Sequence, residues 1–248
     1  KEIYFFYLFL FLSGAILMRS AGCIVNDIVD RKYDKKVKRT KNRPIASGKI
    51  SVNQGLIYSL LLCIIAFCVL INFNHFTILA ALASMPLAFT YPLMKRYTYW
   101  PQLFLGITFN YGLVLGWTSI TSEINIVPIV FYLGAIFWTL GYDTIYGFQD
   151  IKDDEIIGLK STSIKFKRNP NKFLLICYSI FFLSLILVGY LMELNKYFFV
   201  ILALAFFQMF FLQLKKLNLK KASSCLNTFK SNNLLGMIIF ISIFMGKF

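Results

Sequence analysis

The amino-acid sequence predicts an all-α fold, a polytopic membrane helical bundle of about eight transmembrane helices. Three observations carry that expectation. The 248-residue chain is 58% hydrophobic and only 15% charged, which is too apolar for a soluble domain that must keep a polar surface. Its apolar residues fall into runs near the ~20 residues that a helix needs to cross the hydrocarbon of a bilayer. No run alternates with the period of two that marks a transmembrane barrel strand.

In chain order the runs are Ile3 to Val25, Val52 to Phe73, Phe76 to Met94, Leu103 to Ile120, Ile124 to Phe148, Phe173 to Met192, Tyr197 to Leu214 and Leu234 to Gly246. The first is not a signal peptide, because a polar motif follows it rather than a small-residue cleavage site. The last is short for a span. Between them, "RNPNK" (Arg168 to Lys172) reads as a turn in which Pro170 opens the next helix. His75 falls in a short loop with no partner at metal-ligand spacing and reads as a plain loop residue. Cys23, Cys63, Cys68, Cys177 and Cys225 include no Cys-x-x-Cys pair and read as small apolar packing residues. No glycine-rich phosphate loop is present, so ATP or NAD chemistry has no support. Residues 1–248 are taken as a single transmembrane domain. The first residue is Lys rather than Met, which predicts a fragment or processed chain with a segment missing upstream.

The net charge of +15 is unevenly spread. If loops alternate sides, one side carries nine basic residues in Arg31 to Lys49, Lys95 and Arg96, six in Lys152 to Lys172 and five in Lys215 to Lys230. That is 22 of the 26 Lys and Arg. Basic tracts at membrane ends set orientation, with the basic side cytoplasmic, or facing the matrix in a mitochondrion. The partners this predicts are the lipid bilayer and an anionic substrate, and no nucleic acid.

All seven aspartates sit on that basic side in two clusters: Asp27, Asp30 and Asp34, then Asp143, Asp150, Asp153 and Asp154. At ~100° per residue, Arg19, Asn26, Asp27, Asp30 and Asp34 share one arc if the first helix runs through the motif, and Asp143, Tyr146, Asp150, Asp153 and Asp154 share another. The plain alternative is solvated loop carboxylates that neutralise neighbouring Lys and Arg. Two clusters with helical spacing argue against it, because aspartate is a poor helix-interior residue and grouped carboxylates need a cation to offset their repulsion. Hard oxygen donors suit Mg²⁺, which shares its coordination with waters and substrate phosphates.

"NDIVDRKYD" (Asn26 to Asp34) and "DTIYGFQDIKDD" (Asp143 to Asp154) resemble the two aspartate motifs of the UbiA superfamily of intramembrane prenyltransferases. "RSAGCIVND", "KRTKNRPIASGKIS", "YPLMKRYTYWPQ" and "GLKSTSI" resemble stretches of its 4-hydroxybenzoate branch, in the same order, from about residue 19 to 164. The resemblance implies a nine-helix bundle of two pseudo-repeats, each giving one aspartate motif to a cavity open to lipid. The family's first helix would precede the "RSAGCIVND" helix and is expected to be missing here. The resemblance further implies that Asp30, Asp34, Asp150 and Asp154 bind Mg²⁺, with Asn26 and Asp143 lining the same site. Arg39, Arg43 and Lys95 are expected to contact diphosphate, and Tyr91 with Lys95 matches a Tyr-x-x-x-Lys motif. Arg19 and Tyr146 complete the candidate substrate-binding set. An Arg inside an apolar span faces a cavity or a carboxylate, so Arg19 has two readings: contact with the aromatic carboxylate or diphosphate, or a salt bridge to the other aspartate cluster.

The expected reaction joins polyprenyl diphosphate and 4-hydroxybenzoate in ubiquinone synthesis, in a bacterial or mitochondrial inner membrane. Ionising an allylic C–O bond requires Mg²⁺ and Arg or Lys to stabilise the departing diphosphate, and the carbocation must be kept from water. Haem, naphthoate or homogentisate as acceptor are alternatives within the superfamily. From another class, a cation-coupled transporter would place carboxylates near mid-membrane beside broken helices; here they lie at one edge, followed by a basic loop.

Overall fold

The structure is a computed structural model that describes residues 2–37 and 40–248. Among these residues the chain forms twelve α-helices and no strand. Eight stretches are long and apolar enough to cross a membrane, and with the exposed apolar side chains on their outer faces, among them Leu8, Leu79, Leu183, Val200 and Phe240, they make this an integral membrane protein. Two compact units are distinguished, Lys1–Leu93 with Leu115–Glu123, and Met94–Val114 with Ile124–Phe248.

In the first unit, α1 (Glu2–Asp34) runs without a break from the apolar segment through the first aspartate motif. Its basic last turn, Arg31 and Lys32, complements the partial negative charge of a helix C-terminus. Packed along it is α2 (Val52–Leu70). A reciprocal cap starts α2: Ser51 Oγ accepts from the Gln54 amide at 3.2 Å, and Gln54 Oε1 accepts from the Ser51 amide at 2.9 Å. Asn74 caps α3 (His75–Thr90) through the Thr77 amide, so His75 opens a helix instead of lying in a loop. The Asn74 amide group also donates to the carbonyls of Thr118 and Ser119, and Thr77 donates to Thr118 Oγ1 at 3.0 Å. A short 3-10 turn, Tyr91–Leu93, follows and packs against α1.

The second unit opens with α4 (Met94–Tyr97) and α5 (Pro101–Phe109) and takes the first residues of α6 (Tyr111–Thr121). The sequence predicts one helix over 103–120; the chain instead breaks at Asn110. There the side-chain amide replaces helical continuity by donating to Gly106 O, Ala135 O and Thr139 Oγ1, the last at 2.7 Å. The core of the unit is built by α7 (Ile126–Gly147), α10 (Pro170–Leu191), α11 (Lys196–Phe207) and α12 (Ala222–Lys247), around Leu140, Tyr178, Phe181, Leu185, Phe198, Leu202 and Leu235. Pro170 stands at the start of α10 as expected, where its missing N–H is not needed. Two short helices, α8 (Ile151–Ile157) and α9 (Thr162–Lys165), lie between α7 and α10.

Beyond α11 the chain winds through a π-helical segment, Gln208–Leu214. Gln208 and Gln213 both reach Ser231 of α12, at its carbonyl (3.2 Å) and its hydroxyl (2.9 Å). The eighth span is twice the length that hydropathy alone indicates. Ser223, Asn227, Lys230 and Asn232 hide its first half, and Asn232 is accommodated inside the bundle by accepting from Trp138 Nε1 at 2.8 Å. Of the cysteines expected to pack, Cys177 and Cys225 are buried, whereas Cys23 and Cys68 are exposed.

Candidate functional site

The first carboxylate set is an outcome of helical register. Because α1 continues to Asp34, Asn26, Asp30 and Asp34 recur every four residues on one face, the arc that also holds Arg19. Asp30 is 2% exposed and Asp34 7%, so both are buried carboxylates at the end of a membrane helix. A single guanidinium nitrogen bridges the set: Arg43 Nη1 donates to Asp27 Oδ1 at 2.9 Å and to Asp34 Oδ2 at 3.1 Å. The loop that returns Arg43 is pinned on both sides. Thr40 Oγ1 donates to Asp34 O at 3.1 Å before it, and the buried side chains of Ile45 and Ala46 anchor it after. Asp27 therefore belongs to the candidate set alongside the expected ligands, and its i,i+7 spacing to Asp34 is the signal that places both within reach of one arginine.

Arg19 is exposed. Arg39 lies outside the described residues. Tyr91 sits in the 3-10 turn beside α1.

The second set, in the second unit, departs from expectation. Asp143 and Tyr146 share a face of α7, but the helix ends at Gly147. Three successive i→i+3 bonds, at Phe148, Gln149 and Asp150, then turn the chain, and Asp150 becomes the residue that opens α8. Asp143, Tyr146, Asp150, Asp153 and Asp154 thus do not share one continuous helical arc; they divide between the end of α7 and the first turn of α8. Glycine is needed at the break, since a Cβ at position 147 would collide with Ser163 Oγ. Aspartates in the first turn of α8 face the partial positive charge of its amides. Gly158, at φ 78°, ends α8 in the left-handed conformation and lets Leu159 N return to Asp154 O at 2.9 Å.

Two further groups hold this segment. The Lys160 amide donates to Lys95 O at 2.8 Å and its Nζ to Tyr97 O at 3.2 Å, tying α4 to the chain that leaves the aspartates. Next to it lies a buried polar cluster that sequence reasoning did not single out. The Thr162 amide donates to Gln102 Oε1 at 3.0 Å, Ser163 Oγ donates to Thr144 O at 2.8 Å, and the hydroxyls of Thr144 and Thr162 meet at 2.6 Å. Thr144 spends its one proton on Leu140 O, so Thr162 is the donor in that last pair. Beside Asp143, Tyr142 and Tyr146 of α7 both contact Phe229, with centroids 5.6 and 4.6 Å away, and Trp138 continues the aromatic row to Phe181.

The donors in both sets are carboxylate oxygens. Among the described residues no group of three or more His, Cys, Asp or Glu side chains stands together so that it could hold a metal ion by itself. Carboxylate oxygens are donors of the kind a hard cation takes when water or phosphate completes its coordination.

Comparison with known proteins agrees with this arrangement. The chain is 41% identical over 239 residues to a protein of Rattus norvegicus named 4-hydroxybenzoate polyprenyltransferase, mitochondrial; the match covers 96% of this chain and 64% of that protein, so the chain spans less than two thirds of its relative's length. A UbiA homologue from Aeropyrum pernix K1 has the same fold, with a TM-score of 0.82 at 22% identity over 97% of this chain and 89% of that one. A UbiA homologue from Archaeoglobus fulgidus, solved bound to GPP and Mg²⁺, matches with a TM-score of 0.67 at 19% identity, over 96% and 85%. The UbiA prenyltransferase family profile matches residues 2–242. Aspartates grouped at helix ends and an all-helical membrane bundle thus meet in one conclusion: the chain belongs to the UbiA prenyltransferase family.

Proposed function

We propose that this protein transfers a polyprenyl group from polyprenyl diphosphate to the ring carbon ortho to the hydroxyl of 4-hydroxybenzoate, in ubiquinone biosynthesis. The observation that carries the reading is the buried pair Asp30 and Asp34, held beside Arg43 at a membrane-helix end. Anionic and cationic groups so combined suit a magnesium diphosphate better than either ion alone. The relative named for this reaction and the structural neighbour bound to GPP and Mg²⁺ support it.

Asp30 and Asp34 in one set, and Asp150 and Asp154 in the other, would hold Mg²⁺, with Asn26 and Asp143 beside them. When bound, Mg²⁺ supplies positive charge to the departing diphosphate. Arg39, Arg43 and Lys95 add donors for its oxygens, with Tyr91 next to the lysine turn. Arg31 follows Asp30 in the last turn of α1, its Nε buried with no hydrogen-bond partner among the described residues. Heterolysis of the allylic C–O bond leaves a carbocation that the ring of the acceptor attacks; the ring then loses its ortho proton and recovers aromaticity. Arg19 is assigned to the acceptor carboxylate and Tyr146 to the substrate cavity, with aromatic faces available to stabilise the cation. The basic ends are assigned to the cytoplasmic or matrix side of an inner membrane.

The test is turnover of polyprenyl diphosphate with 4-hydroxybenzoate, naphthoate and homogentisate by membranes carrying the protein. Product with hydroxybenzoate should require Mg²⁺ or Mn²⁺ and fall by orders of magnitude in Asp30→Asn and Asp150→Asn without a matching loss of Tm. Full turnover in chelator would overturn the metal assignment, and preference for another acceptor would overturn the substrate.

A further inference from the structure

We infer that Gln102, Thr144, Thr162 and Ser163 form a polar clasp that positions the second aspartate segment, acting on its carboxylates through the backbone and not by contact with substrate. This rests on the proposed prenyl transfer.

The clasp closes a loop in the chain. Thr144 lies on α7, before the break at Gly147, and Thr162 and Ser163 lie just after α8. Their mutual bonds therefore join the two ends of the stretch that carries Asp150, Asp153 and Asp154. Gln102 fixes the base from α5 by accepting the Thr162 amide. Thr144, Thr162 and Ser163 are fully buried and Gln102 is 7% exposed. In such surroundings each bond left unmade costs the desolvation of a polar group, so the geometry is held tightly. The collision a side chain at position 147 would make with Ser163 shows how closely the two ends approach.

Lys160 extends the device. Its two bonds to the carbonyls of Lys95 and Tyr97 attach the lysine turn to the segment that joins α8 to α9. The clasp thus sets the carboxylates and Lys95 in one register. α8 has only seven residues and no buried side chain, so it has little packing of its own to hold Asp150 and Asp154 in place. Ligands for a cation need placement to within about half an ångström, and the clasp contributes to it by fixing both ends of the stretch that carries them.

The discriminating variant is Thr162→Val, which keeps the shape and removes the donor to Thr144; Gln102→Leu is the second, and Thr162→Ser restores the hydroxyl. One neutral hydrogen bond converts to about a three- to tenfold effect. Thr162→Val should lower kcat/KM for polyprenyl diphosphate and raise the Mg²⁺ concentration for half-maximal rate by that factor. The hydroxybenzoate KM should stay within about twofold, and Thr162→Ser should recover the parental values. As a readout independent of turnover, the rise in Tm produced by Mg²⁺ with inorganic pyrophosphate should need correspondingly more metal in Thr162→Val. A variant that loses Tm but keeps the parental metal and pyrophosphate dependence would reduce the clasp to a structural role and overturn the inference. A parental protein that responds to neither metal nor pyrophosphate would instead overturn the proposed function.

Discussion

Replacing Arg43 by Leu tests how far the first carboxylate set depends on one guanidinium. Arg43 Nη1 serves two acceptors, Asp27 and Asp34, whose side chains are 23% and 10% exposed, while Arg43 itself is 33% exposed. Breaking a fully buried pair by removing one partner costs about 3 to 5 kcal/mol, because the remaining charge loses its counter-ion. Solvent reaches a third of the Arg43 side chain and screens part of that, which brings the expectation to about 2 to 3 kcal/mol. For a chain of this size, each kcal/mol moves Tm by about 2 to 4 °C, so Arg43→Leu should melt about 4 to 12 °C below the parent in detergent. The sign of the second step is the sharper test. Adding Asp34→Asn to Arg43→Leu removes the more buried of the two carboxylates left behind and should recover part of the loss, although Asp34→Asn alone destabilises. A drop in Tm of under about 1 °C for Arg43→Leu, or losses that simply add in the double variant, would refute the bridge.

Two other expectations concern geometry and orientation. At Gly158 a Cβ meets nothing within 4 Å, so Gly158→Ala isolates the cost of the left-handed backbone, about 1 to 2 kcal/mol, and Gly158→Asn should cost less; equal and negligible effects, read by thermal unfolding, would mean that the turn is not constrained. Cysteines introduced as Lys41→Cys and Lys165→Cys should label from the same side of the membrane, and labelling from opposite sides would contradict the charge-based orientation.

The eight spans were legible because hydropathy is a local property and each helix must satisfy its own backbone. Where the sequence misled, a side chain did work that local patterns do not record. Asn110 interrupts the fourth span for a single residue and bonds Thr139 and Ala135, far away in the chain. Asn232 enters the bundle because Trp138 donates to it, so a stretch polar by composition is helical in fact. The first aspartate arc followed directly from a 100° step because α1 is unbroken. The second arc did not, since the same projection was carried across Gly147, where α7 ends and three i→i+3 bonds turn the chain before α8. The resemblance included "GLKSTSI" without giving any of its residues a role; that Thr162 meets Gln102 and Thr144 was not readable from residue types, since both partners are non-local.

Gln208 and Gln213 are five residues apart, a spacing that on an α-helix would point them about 140° away from each other. They converge on Ser231 because the π-helical winding, with its i→i+5 bonds, stacks residues at that interval. The segment therefore accommodates one residue more than an α-helix joining the same ends would hold. Deleting a single residue between Phe210 and Leu212 would bring the two glutamines to i,i+4, where ordinary α geometry aligns them, and would leave the flanking turns facing as they do now. Length variation, which breaks the register of most transmembrane helices, has a place in this one where it can be absorbed.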